Sequence, residues 1–299
     1  MILPDFEYHR PTTVREACEL LAELGPAARV MAGGTDLLVD LKRGVGSAAH
    51  VVALRGIAEL TTIEKDPDGT LRLGPMVTPN ETGESPIVRG SHLPISEAAL
   101  TMAAHQIRNR ATVGGNLASA VPSADMPPVL IAMGTRLVLA SKDGRREVPL
   151  EGFFTGPRET VLRSGEIIAQ IVVPPPAPRS GACYQKHSLR NASALAVVGV
   201  AAWLRMEGET CGEARIVLGA VAPTPLLAKR ASLALSGERP DSARIAEVAK
   251  IASEEAKPIS DLRGSAQYRR SLTRALAERA VGAALERAGA NGDTVVIPH

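Results

Sequence analysis

Aromatic side chains are scarce in this sequence: three Phe, three Tyr and one Trp among 299 residues. A surface that grips nucleic acid by stacking bases needs more of them, so that class is set aside and the core must be built from Leu, Val, Ile and Ala. One-sided charge is missing too, with 34 Lys and Arg against 32 Asp and Glu and no run of like charges. Nothing marks a nucleic-acid track or an anionic-membrane patch. Cys18, Cys183 and Cys211 are odd in number and far apart, which fits reduced thiols. With no CxxC and no His/Cys cluster in the linear spacing, no iron–sulfur or other metal site is expected in this chain. The longest apolar stretch, Ala194 to Leu204, is closed by Arg205 and falls short of the roughly 20 residues a membrane span needs. Met1 to Pro11 lacks a basic segment followed by an apolar one, so no secretory signal, no integral membrane segment and a cytoplasmic location are expected.

The length suits roughly two domains of about 100–200 residues. Thr13 with Glu16 reads as a capping box, and Val14, Ala17, Cys18, Leu21 and Leu24 recur at helical spacing until Gly25 and Pro26 stop the helix. Arg29 to Ala32 reads as a strand, Gly33 to Asp36 as a glycine turn, and Leu37 to Lys42 as a helix ending at Gly44. Further strands are expected at Val51–Leu54, Leu60–Ile63 and Leu71–Leu73, then a helix over Ile95–His105 and a second glycine turn over Thr112–Asn116. Asp125 before Pro127 looks like a helix start. Strands at Arg136–Leu139, Arg145–Val148 and Ile167–Val173 precede the run Pro174 to Pro178, which can continue neither sheet nor helix and marks a domain boundary. Beyond it, strands dominate Ala182–Ala220, and helices follow at Pro225–Leu235, Asp241–Lys257 and Ser265–Ala288. Strands first and helices later indicate an α+β domain.

The two glycine turns carry the chemistry. A dinucleotide pyrophosphate needs backbone N–H groups with no side chain in the way, and a helix start adds a favourable dipole. Gly33 and Gly34 leave a strand where Thr35 opens a helix, while Thr112, Gly114, Gly115 and Asn116 offer the same groups from a loop. Either Gly-Gly pair alone also fits a plain tight turn; two in one half of the chain point to a dinucleotide. Neither matches G-x-G-x-x-G, which argues against a Rossmann site. Asp36 and Asp125 fit helix caps. His105 and Arg108 fit either support for the second loop or cations at a helix end.

Ala32-Gly33-Gly34-Thr35-Asp36-Leu37, the segment Gln106 to Leu117 and the later Val217 to Pro225 together resemble the flavin subunits of the molybdenum hydroxylases, the family of xanthine dehydrogenase, carbon monoxide dehydrogenase and hydroxybenzoyl-CoA reductase. The resemblance spans nearly the whole chain. It implies an α+β protein: an FAD-binding fold of the vanillyl-alcohol-oxidase type over 1–175, in subdomains of about 1–55 and 56–175, then a C-terminal α+β domain over 180–290. It implies that Ala32 to Leu37 and Thr112 to Asn116 wrap the FAD pyrophosphate and ribityl chain, that Asp125 lies near the cofactor, and that Lys186 sits near the flavin ring, where a cation favours the more negative reduced form. On the residues alone, Lys186 reads as a solvated surface lysine.

Where many family members have an acidic and an aromatic residue after the lysine, this chain has Ala194 and Leu195, which puts an aliphatic group over the ring. Leu117 to Thr135 holds no cysteine, so the additional four-iron cluster of the hydroxybenzoyl-CoA reductase branch is not expected. The implied role is electron transfer from iron–sulfur clusters in a partner, through FAD, to an external acceptor, with no catalytic residue for the organic substrate in this chain. The implied partners are a large molybdenum-cofactor subunit and a small subunit with two two-iron clusters, arranged as a dimer of heterotrimers. Two other readings stand beside it: a freestanding FAD oxidoreductase of the same fold, similar to the enolpyruvyl reductase of cell-wall synthesis, and a nucleotide-binding regulatory or scaffold protein.

Overall fold

The structure, a computed structural model, describes residues 3–190 and 193–290. Its first helix, Val14–Leu24, buries Val14, Ala17, Cys18 and Leu21 and is capped by Thr13, whose hydroxyl accepts from the Glu16 N–H at 3.1 Å. The Glu16 carboxylate returns to the N–H of Thr12 at 2.7 Å rather than to that of Thr13, so the expected box closes one residue early. This helix and Leu37–Arg43 connect three parallel strands, ordered Glu7–His9, His50–Ala53, Ala28–Met31. The central strand faces two small cores, with Val52 toward the first helix and Val51 toward Leu41. A buried parallel strand is apolar on both sides for that reason. The carboxyl end of Ala28–Met31 opens directly into Ala32–Asp36, the end at which open α/β sheets hold their ligands.

A five-stranded antiparallel sheet follows, ordered Ile63–Lys65, Leu71–Leu73, Ile167–Val173, Arg136–Ser141, Gly144–Pro149. The expected helix over 95–105 is two helices, Leu93–Thr101 and His105–Arg108, because Met102 is extended and Ala103 turns left-handed at φ 44°. Thr112–Asn116 is not a loop but the head of a helix, Val113–Ala118: Thr112 caps it by accepting the Gly115 N–H at 3.0 Å, and Gly114 N–H donates to the Pro75 carbonyl at 2.8 Å. These bonds outweigh the poor helix propensity of two glycines.

The C-terminal sheet is antiparallel, ordered Ser180–His187, Val198–Glu207, Thr210–Gly219, Leu226–Leu227. Strand alternation splits its side chains between two cores. Cys183, Val200, Ala202, Ile216 and Leu218 meet the helices Lys229–Leu235, Ser242–Glu255 and Ala266–Ala290, while Tyr184, Ala201 and Val217 join the core around the helix Met126–Ala132. Among the described residues no helix is long and apolar enough to cross a membrane.

The long helix lies so close to the sheet that a Cβ at Gly181 would overlap the Ala284 carbonyl oxygen, whereas one at Gly282 would meet nothing within 4 Å. Gly181→Ala is therefore expected to destabilise the protein by about 1–3 kcal/mol through overpacking, and Gly282→Ala to stabilise it by up to about 1 kcal/mol through helix propensity. Thermal unfolding of the two variants checks this; equal and small shifts would show that the helix is free to move off the sheet.

Candidate functional site

A cavity of about 640 Å³ runs between the two glycine segments, with Ser193–Leu195, from the connection between the first two strands of the C-terminal sheet, at its edge. Ala32 to Leu37 line one side and Thr112, Gly114, Gly115 and Asn116 another, with Asp125 and Leu195 further along. Lys186, His105 and Arg108, also singled out in the sequence, are not in the wall, and neither is Val113 between the lining residues of the second segment.

The glycines work differently from expectation. A Cβ on Gly33 would overlap the Arg110 carbonyl, and one on Gly114 would overlap Pro75, so these two positions are bare to let protein backbone approach protein backbone. The first segment thus rests against the chain just ahead of the second. Gly34 serves the turn, at φ +77°. Among the described residues, the N–H groups of Gly33, Gly34, Thr35 and Asp36 donate to no protein acceptor. The buried Asn116 Oδ1 likewise has no partner. A buried polar atom of a native protein almost always has a partner, so the Asn116 oxygen, together with N–H groups left free at the cavity edge, has the makings of a polar ligand's cradle.

Lys186 lies behind this wall and is not a surface lysine. Its side chain is 6% exposed and that of Asp125 5%. The ammonium donates to Asp125 at 2.9 Å, to the Thr101 carbonyl at 3.0 Å and to the Ala194 carbonyl at 3.2 Å, which uses all of its protons. Tyr184, two residues earlier on the same strand face, donates its hydroxyl to the other Asp125 oxygen at 3.0 Å. Burial raises the Asp125 carboxyl, against the pull of Lys186 and the Tyr184 hydrogen bond. Burial also pushes the Tyr184 hydroxyl well up, and Asp125 adds to that. Asp125 precedes Met126–Ala132 but makes no side-chain cap bond, and neither does Asp36 before Leu37–Arg43; the cap role expected for both carboxylates is not the one they play.

Asp36 stands exposed on the cavity wall, and desolvation raises its carboxyl, with Arg158 opposing and Asp40 assisting. Arg158 pairs with Asp40 at 2.7 Å from a left-handed position, φ 63°. Ala103 (φ 44°) and Ser193 (φ 52°) also line the cavity in this uncommon conformation, each costing on the order of 1 kcal/mol. Arg158, Tyr184 and Asn80 were not anticipated as structural parts of the site. The buried Asn80 hydrogen-bonds Asn109 and contacts His105 at 3.2 Å, and takes the Arg108 Nε–H at 2.8 Å, while Arg108 also donates to the Met102 carbonyl at the end of the preceding helix at 2.9 Å, so contacts stand behind both expected roles. Tyr184 could have been found from its i, i+2 spacing to Lys186; Asn80 carries no comparable signal. The absence of a His cluster holds for linear spacing only, since parallel pairing gathers Glu7, His9 and His50 away from the cavity.

Lys186→Met is expected to cost about 3–5 kcal/mol, because it leaves a buried carboxylate without its counter-charge. The double variant Lys186→Met with Asp125→Asn is expected to regain much of that. Urea-unfolding midpoints measure both; a single variant no less stable than wild type would show that the pair carries no such burden.

Residues 4–176 match the family model described as the FAD binding domain in molybdopterin dehydrogenase, and residues 182–284 match the CO dehydrogenase flavoprotein C-terminal domain. The carbon monoxide dehydrogenase medium chain of Hydrogenophaga pseudoflava is 36% identical over 96% of this chain and 99% of its own length. A putative xanthine dehydrogenase FAD-binding subunit of Escherichia coli (strain K12) is 32% identical over 94% of this chain and 97% of its own. Among solved structures, carbon monoxide dehydrogenase from Hydrogenophaga pseudoflava superposes with a TM-score of 0.92 at 37% identity, covering 96% of this chain and 99% of that one. Quinoline 2-oxidoreductase from Pseudomonas putida 86 gives 0.90 at 33% identity, covering 96% and 99%. With the first model spanning more than half of its residues and such relatives aligned almost end to end, this chain belongs to the FAD-binding family of the molybdopterin dehydrogenases.

Proposed function

We propose that the chain is the FAD-carrying, electron-transferring oxidoreductase subunit of a multi-subunit molybdenum hydroxylase, and that the cavity holds the cofactor. The observation that carries this is the set of unpaired N–H groups from Gly33 to Asp36 on a segment that lines the cavity beside the second glycine segment. Those amides suit a pyrophosphate. The Asp36 carboxylate, an acceptor that repels phosphate, suits a sugar hydroxyl instead, and the Asn116 amide suits a polar group of the same chain of hydroxyls. Leu195, 59% exposed at the cavity edge, offers an aliphatic face to the ring. Lys186 acts from behind, holding Asp125 and the wall that the ring meets. Bound FAD supplies the redox chemistry, exchanging electrons singly or in pairs, while the protein binds, orients and tunes it.

The relatives are described as medium chains and subunits, which supports large and small partners. We assign the molybdenum cofactor to the large one and two two-iron clusters to the small one, in a cytoplasmic dimer of heterotrimers. The thiols of this chain fit that division: Cys18 lies in the N-terminal core and Cys183 and Cys211 in the C-terminal one, and burial pushes Cys18 and Cys211 up to about 11, far from ligand-like thiolates. We place the domain division at the proline run, with the FAD-binding part over 1–175, subdivided near 55, and the C-terminal part over 180–290. The family matches end at 176 and resume at 182.

Expressed alone, the chain is expected to purify yellow, to be bleached by dithionite, and to oxidise no aromatic, purine or aldehyde substrate. Substrate should reduce the flavin only when the molybdenum and iron–sulfur chains are restored. A chain that stays colourless after incubation with FAD would sink the cavity assignment, and one that turned over an organic substrate alone near the roughly 10 per second typical of enzymes would make it a freestanding oxidoreductase.

Gly33→Ala is expected to weaken FAD binding by about tenfold or more, equivalent to about 1.4 kcal/mol, because its methyl group pushes the two segments apart. Gly34→Ala meets side-chain atoms alone, Leu38 Cδ1 at 3.2 Å, Leu38 Cγ at 3.4 Å and Met31 Sδ at 3.5 Å, and carries backbone strain of about 1–2 kcal/mol, so the turn should distort without parting the segments. Fluorescence titration of the apoprotein with FAD reads both, and wild-type affinity in Gly33→Ala would detach the segment contact from cofactor binding.

A further inference from the structure

We propose that Glu7, His9 and His50 form a binding site for a zinc-type divalent transition metal, separate from the cavity. Parallel pairing sets Glu7 directly opposite His50, and the strand period brings His9 onto the same face. One ligand atom from each lies within 4.8 Å of the others. His9 Nε2 is 3.1 Å from His50 Nδ1, which is 3.3 Å from one Glu7 carboxylate oxygen, while the other oxygen is 3.9 Å from His9 Nε2. At metal–ligand bonds of about 2.0–2.1 Å, separations of 3.1 and 3.3 Å subtend about 98° and about 107° at an ion, close to tetrahedral. The two imidazole nitrogens need only small movements to accept the same cation.

The donor set narrows the cation. Two imidazoles and a carboxylate suit zinc and its neighbours, whereas magnesium prefers oxygen ligands and keeps its waters. The histidine side chains are 16% and 26% exposed and the glutamate 66%. Two ligands are therefore held by the sheet margin, the third can swing in from solvent, and water can complete the coordination. None of the three lines the cavity. Without an ion the two ring nitrogens share a single hydrogen bond, with one lone pair facing one N–H. With an ion both nitrogens present lone pairs, and the three-residue edge strand is fastened to the central strand 41 residues away. That fastening acts on the same sheet whose third strand ends at the first glycine segment.

The test uses the full chain without a histidine tag, stripped by chelator and titrated with Zn²⁺ by calorimetry, with metal content and thermal unfolding measured in parallel. The expected result is one equivalent of Zn²⁺ bound and a raised unfolding temperature, with Mg²⁺ giving neither. His9→Gln and His50→Gln, each keeping a polar side chain of similar size, should fold and lose both effects. Co²⁺ should give the intense visible bands of a four-coordinate ion in the wild type alone. Zinc uptake that persists unchanged in both variants, no stoichiometric uptake by the wild type, or Co²⁺ bands that are weak and indifferent to the substitutions would each overturn the site.

Discussion

One buried ammonium holds the cavity together. The Lys186 side chain ends on three oxygens that belong to three separate stretches of chain: Thr101 at the carboxyl end of a helix, Asp125 at the head of another, and Ala194 in the connection between two strands. Met102–Ala104, Ser123–Asp125 and Ser193–Leu195, the residues beside those oxygens, are cavity wall. A cation at a helix carboxyl end is favoured by the helix dipole, and a carboxylate that also receives a tyrosine hydroxyl can remain where little water reaches. Each polar atom in this group has its partner, the condition under which buried charge is tolerable. The lysine therefore shapes the site without entering it.

Much of the framework was legible in the sequence because it is written in local chemistry. Thr13 with Glu16, Gly25 with Pro26, and Ile167–Val173 before a proline run each announce a boundary through backbone hydrogen bonding or its loss, and the structure puts boundaries there. The two glycine segments were legible for the same reason. What escaped depends on residues far apart in sequence. The apolar pattern runs on through Met102 and Ala103, so nothing local reveals that the helix must stop where Lys186 takes the Thr101 carbonyl. Lysine polarity says surface, and only the tertiary arrangement says otherwise. Arg269, with a side chain 1% exposed against Asp261 and the carbonyls of Val197 and Ala220, is hidden from sequence in the same way.

The glycine segments illustrate how one composition can serve two purposes. Their bareness at Gly33 and Gly114 is required by the close approach of Arg110 and Pro75, while the neighbouring N–H groups are left over because that approach holds the segment away from helix and sheet alike. Packing thus generates the unsatisfied donors. The two halves of the cradle cannot drift independently, since Gly33 lies against the Arg110 carbonyl just ahead of the second half, and that stretch is tied to Asn80 through His105, Arg108 and Asn109.

Every residue of Met126–Ala132 is buried, and this helix meets both its own core and the outer face of the C-terminal sheet, with Pro128 set against Gly219. Such sharing has an evolutionary corollary. Two modules that each closed their own core could be exchanged between genes and still fold, but here a transplanted FAD-binding part would arrive with a bare helix and a cavity lacking its Ser193–Leu195 edge. Such a shared helix and core tie the two parts together as one folding unit.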